Sequence, residues 1–112
     1  MPVAFDRDIY DRLNEQTDGA AGEILALYLS LLPEREAAMM AAWSAGDWDE
    51  LKRNAHKLKS SSFTLGLLRL GELCETIERK IAAGNPLPTE MASAIAEEFD
   101  AARALVAEIV RE

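Results

Sequence analysis

Gly46-Asp47-Trp48-Asp49-Glu50-Leu51-Lys52-Arg53-Asn54-Ala55-His56-Lys57-Leu58-Lys59-Ser60-Ser61-Ser62-Phe63-Thr64-Leu65-Gly66 carries the clearest helical period in the chain. Trp48, Leu51, Ala55, Leu58, Ser62 and Leu65 recur at steps of three and four residues, which holds one face of a helix inward. Asp47 stands as an N-cap with Glu50 three residues on, a capping-box spacing, so the helix is expected to begin at Trp48. Gly46 stops whatever precedes it, and Gly66 permits a turn into whatever follows.

The same period continues on both sides. A short helix is expected near 6–16 and a long one near 19–45, the latter turning Ile24, Leu27, Tyr28, Leu31 and Leu32 inward. Pro33 falls inside the long helix, where a missing N–H and a ring clash should kink it. A fourth helix is read from Leu67 to Ala83 through Leu70, Leu73, Cys74, Ile77 and Ile81, ending at the breaker Gly84-Asn85-Pro86-Leu87-Pro88. A fifth follows Thr89, which can cap it, and runs to the C-terminus through Met91, Ile95, Phe99, Ala102, Leu105, Val106 and Ile109. No useful length alternates with a strand's period of two. Long amphipathic helices with short connections predict an all-α fold, an antiparallel four-helix bundle with a short additional N-terminal helix, formed as one domain over 1–112.

Composition excludes several functions. Twenty acids against 12 Lys and Arg give a net charge of -8, which disfavours nucleic acid and anionic membrane as partners. No apolar run approaches the roughly 20 residues that span a bilayer, and Met1-Pro2-Val3-Ala4-Phe5-Asp6 lacks the order of a signal peptide, so a cytoplasmic protein is expected. One cysteine and one histidine supply neither an internal disulfide nor a His/Cys zinc site, so no metal and no cofactor are expected. Cys74 reads as a buried small hydrophobe. Gly66-Leu67-Leu68-Arg69-Leu70-Gly71 has the glycine spacing of a P-loop, but Glu72 stands where its lysine belongs.

The charges are unevenly placed. Leu51 to Gly71 contains Lys52, Arg53, Lys57, Lys59 and Arg69 and no acid at all. His56, the sole histidine, points away from the apolar stripe of its helix and should face solvent, with Lys52, Ser60 and Phe63 near the same direction. Neutral imidazole is a nucleophile near pH 7, and a phosphoryl donor approaching it needs cations and little steric bulk. His56 is therefore the candidate acceptor, Lys59 its main electrostatic support, and Lys52 and the small Ser60 are supporting residues. The nearest acid on that face is expected to be Asp49, two turns away. Ser60-Ser61-Ser62 cannot assemble a hydroxyl triad without the lone histidine. Phe63 reads as a docking contact for a partner, the other reading being partial burial against the second helix; Met39 and Met40 could extend such a patch. Trp43 and Trp48 should pack the end of the bundle.

Ala55-His56-Lys57-Leu58-Lys59-Ser60-Ser61-Ser62, followed by Leu65-Gly66, Leu70, Cys74 and Glu78, resembles the signature of histidine-containing phosphotransfer (HPt) domains. Gly46-Asp47-Trp48 and Leu29 to Pro33 extend the resemblance over about Asp6 to Leu105. It implies a protein that relays phosphoryl groups between receiver-domain aspartates in a two-component phosphorelay, through a phosphohistidine at His56 and without kinase activity of its own. The implied partners are response-regulator receiver domains and a hybrid histidine kinase, the magnesium belongs to the receiver, and the protein is a monomer. Ser60 departs from the family's usual glycine. Two alternatives stand beside this reading: an unphosphorylated helical adaptor for a receiver or kinase, and a detached phosphoacceptor domain of a chemotaxis-type kinase.

Overall fold

Five helices follow one another in the computed structural model, which describes residues 4–111: α1 (Arg7–Gln16), α2 (Ala21–Ala45), α3 (Trp48–Thr64), α4 (Leu68–Ala82) and α5 (Glu90–Val110). Met1, Pro2 and Val3, read above for a leader, and Glu112 lie outside the described residues. Among the described residues there is no strand, and no helix is long and apolar enough to cross a membrane.

Local chemistry sets most of the boundaries. Gly46 takes a left-handed conformation at φ 67° and ends α2. Asp47 then accepts a hydrogen bond from the Glu50 N–H at 3.2 Å and starts α3 at Trp48. Only half of the expected capping box forms, because the Glu50 carboxylate pairs with Arg53 and the Asp47 N–H bonds the Ala42 carbonyl at 2.9 Å. Thr89 precedes α5 without a side-chain capping bond, contrary to expectation. Helix α2 runs through Pro33 without ending there.

Gly66 is required by more than its φ of 87°. A Cβ there would stand 2.6 Å from the Asp6 carbonyl oxygen, and the Asp6 N–H donates to the Gly66 carbonyl at 2.8 Å. The segment leading into α1 is thus laid against the α3–α4 turn. Asp6 also caps α1, accepting from the Asp8 N–H at 3.0 Å.

Helix α3 packs most heavily on α4, and α5 on α2; α2 also contacts α3, α4 contacts α5, and α1 rests on α2 and α3. Between them lies one apolar core, built from Leu25, Leu32 and Met39 of α2, Leu51 and Leu58 of α3, Leu70, Cys74 and Ile77 of α4, and Ile95, Phe99 and Val106 of α5. Arg103 of α5 reaches Glu36 of α2 at 2.6 Å across its edge.

The inward face of α2 differs from the sequence expectation. Ala21, Leu25, Tyr28 and Leu32 are buried, whereas Ile24, Leu27 and Leu31 are 38 %, 62 % and 36 % exposed. Trp48 is 43 % exposed as well, its ring edge-on to Trp43 with centroids 5.7 Å apart, so the α3 stripe effectively begins at Leu51. Met39 is buried and Met40 packs partly against the core, so neither extends a surface patch.

Ser62 is fully buried on the α3 stripe because it has a partner: its hydroxyl and the Tyr28 phenol lie 2.7 Å apart. Burial pushes the Tyr28 phenol pKa above its usual range, so it remains a neutral hydrogen-bonding group. Ser62→Ala is expected to cost about 1–3 kcal/mol in denaturant unfolding by stranding the phenol. Adding Tyr28→Phe should recover most of that loss. An unchanged Ser62→Ala midpoint would show that the pair contributes nothing.

Candidate functional site

His56 projects from α3 with 65 % of its side chain exposed, as the stripe requires. It is not free of acids. Glu78, on the adjoining face of α4, places Oε1 2.8 Å from His56 Nδ1. Its other oxygen, Oε2, lies 2.9 Å from the ammonium of Lys59, one turn beyond His56. The expectation that Asp49 is the nearest acid on this face is therefore corrected: the stretch from Leu51 to Gly71 contains no acid, but the helix packed beside α3 supplies Glu78.

This contact defines the chemistry of the ring. A carboxylate only accepts, so Nδ1 carries the proton and donates it to Glu78, leaving the lone pair on Nε2. Nε2 then holds the lone pair and is the ring nitrogen able to act as a nucleophile. Charge follows the same geometry. Lys59 foremost, and then His56, hold the Glu78 carboxyl below its ordinary range, while the hydrogen bond to Glu78 holds the Lys59 ammonium above its own. Lys59 thus balances the charge of the carboxylate beside His56.

The rest of the site is a shallow groove lined by Asp49, Lys52, Arg53, His56, Lys57 and Glu78. Arg53 is paired with Glu50, while Lys52 and Lys57 make no ion pair among the described residues. They are the cations open to a ligand at His56. Ser60 is exposed, its carbonyl accepting from the Thr64 hydroxyl at 2.9 Å, and its own hydroxyl makes no hydrogen bond among the described residues. Cys74 is buried one turn before Glu78, its thiol pKa pushed up to about 12 chiefly by burial, as suits an inert core residue. Phe63 is half-buried, and its ring lies over Gly71 of α4. Three apolar side chains of α2 stand exposed on this side: Ile24, Leu27 and Leu31 border a groove shared with Ser61 and with Lys57, the residue after His56.

Residues 23–105 match the model of the family described as Hpt domain. The chain belongs to the Hpt family. Its fold is also that of the crystal structure of histidine-containing phosphotransfer protein B from Pseudomonas aeruginosa PAO1, with a TM-score of 0.84 over 96 % of this chain and 95 % of that one at 22 % identity. No curated protein matches the chain in sequence. As an Hpt domain it serves phosphotransfer in a phosphorelay.

Within this Hpt chain, Glu78 is the residue of the groove that reading along α3 alone does not reveal. The signal for it is nonetheless present. Glu78 lies one turn after Cys74 and beside Ile77, an acid at the border of an apolar stripe, facing a helix whose residues from Leu51 onward include none.

Proposed function

We propose that Nε2 of His56 is the phosphoryl acceptor of this Hpt domain, and that the protein relays phosphoryl groups between aspartates of response-regulator receiver domains charged by a hybrid histidine kinase. The observation carrying this reading is the bond from His56 Nδ1 to Glu78, which in the neutral ring puts the proton on Nδ1 and the lone pair on Nε2. The lone pair of Nε2 attacks the phosphorus of an aspartyl phosphate, and the bond from phosphorus to the aspartate oxygen breaks. The carboxylate leaves, and a phosphohistidine remains. Attack by the aspartate of a second receiver reverses the sequence and returns the ring to its starting tautomer.

Each surrounding group has a part in this reading. Lys52 and Lys57 offset charge on the transferring oxygens, and Lys59 supports the site by neutralising Glu78. Magnesium is supplied with the receiver, and this chain contributes no nucleotide site and no kinase activity. The receiver must bring its aspartate to Nε2 and so covers the surface around His56; the row Ile24, Leu27 and Leu31, with the outer edge of Phe63, supplies its apolar contact. The architecture under this reading is an antiparallel four-helix bundle with a short N-terminal helix, one domain over 1–112, working as a cytoplasmic monomer.

The test is transfer of labelled phosphate from a phosphorylated receiver. Acid-labile, base-stable label on this protein supports the reading, and its absence with several charged receivers sinks it. Ser60→Gly should accept label at least as fast as the unaltered protein, because the resting hydroxyl holds nothing and lies one turn from the ring. A large loss of rate would assign that hydroxyl a contact with the phosphoryl group or the receiver.

A further inference from the structure

Besides the Lys59–Glu78 ion pair, two contacts matter between α3 and α4 along the side of the candidate site. His56 meets Glu78, and Phe63 meets Gly71. His56 and Phe63 are seven residues apart on α3, and Gly71 and Glu78 are seven apart on α4 in the opposite order. The contacts are equivalent rungs of one antiparallel helix pair, two turns or about 10 Å from each other.

The Phe63 rung is unusually close. A Cβ at Gly71 would stand 2.8 Å from Cδ1 and Cε1 of Phe63 and 3.0 Å from Cζ, so the ring occupies space that any other residue would fill. Gly71 lies within the helix at negative φ and is buried, so no turn demands a glycine there. Glycine is a poorer helix former than alanine, and the close seat of the ring accounts for its presence here.

The geometry points to Phe63 and Gly71 as positioning residues for phosphotransfer: the ring seated on bare backbone sets the separation of α3 and α4 at which Glu78 reaches His56 Nδ1. The catalytic consequence rests on His56 being the acceptor; the positioning itself does not. Bulk at position 71 moves the ring outward or tilts α4 away, and either change loosens a contact whose 2.8 Å length leaves little slack. Loss of the ring releases the spacing from the other side.

The experiment is ring nitrogen NMR of His56 in the unphosphorylated full chain, with receiver-to-protein transfer rates measured alongside. Gly71→Ala should move the ring signals from a single Nδ1-protonated form toward mixed tautomers and slow transfer on the order of 10-fold, the scale of lost second-layer orientation. Phe63→Leu placed in the Gly71→Ala background makes room for the new methyl and should recover both. Phe63→Ala, which carries no clash and so tests the spacing without one, should shift the ring signals in a folded protein. Unaltered ring signals in Gly71→Ala or in Phe63→Ala, or no recovery in the Gly71→Ala and Phe63→Leu double variant, overturn the inference. Because the NMR needs no receiver, absence of label on the unaltered protein would overturn the acceptor reading while leaving the positioning inference to stand or fall on its own signals.

Discussion

His56→Gln is expected to reduce phosphoryl uptake from a charged receiver to background while leaving the fold intact. Glutamine has no unprotonated nitrogen to attack phosphorus, so the loss is of the bond-forming atom itself. Its amide can still donate to Glu78, and a mostly exposed side chain contributes little to packing, so unfolding should shift by no more than about 0.5 kcal/mol. The decisive combination is an unchanged helical spectrum with no acid-labile label. Label persisting on the variant would place the acceptor elsewhere. An acid-stable, base-labile adduct would then point to a hydroxyl, and Ser60 and Ser61 lie nearest in the chain.

That such a variant can be chosen from the sequence reflects what is legible there. The outward direction of His56 follows from a stripe of five residues, Leu51 to Leu65, whose burial is uniform, and the start of α3 follows from Gly46 and Asp47, whose chemistry is local. The orientation of α2 was not legible, for a physical reason. Ile24, Leu25, Leu27, Tyr28, Leu29, Leu31 and Leu32 surround that helix with apolar side chains, so no period distinguishes its inner face, and contact with α3 and α5 decides it. The surplus apolar row then falls on the surface beside Lys57, where a partner can use it.

Glu78 was illegible for a different reason. It meets His56 across 22 positions of chain, and the meeting depends on the rotation of α4 and on its register against α3. The family pattern contains the residue, but only the helix pairing shows that its two oxygens divide between His56 and Lys59. Lys59 changes meaning with it. Read along α3 it is a cation waiting for phosphate; in the fold it already has a carboxylate to neutralise, and Lys52 and Lys57 are the cations of the groove that make no ion pair among the described residues.

Glu78→Gln is therefore expected to slow phosphoryl uptake on the order of 10-fold to 100-fold, the usual scale for losing the group that orients a reacting imidazole. As Nε2 bonds to phosphorus the ring becomes positively charged, and a carboxylate at Nδ1 stabilises that charge where an amide only accepts the proton. Glu78→Ala should be slower still, because the ring also loses its fixed tautomer. In both variants Lys59 is released, and if its attraction for phosphate outweighed these losses the rates would rise; a rise would reverse the roles given to Glu78 and Lys59. The acid limit provides a second check. The folded Glu78 carboxyl lies below its ordinary 4.5 and the folded Lys59 ammonium above its ordinary 10.5. A lowered carboxyl contributes stability that is fully present above the unfolded value and is lost as pH falls through the folded one, and a raised ammonium contributes stability lost only as pH rises through its folded value. The difference in unfolding free energy between the unaltered protein and Glu78→Gln should hence narrow on acidification below 4.5. A difference that persists undiminished in acid would mean that Glu78 acts by shape and not by charge.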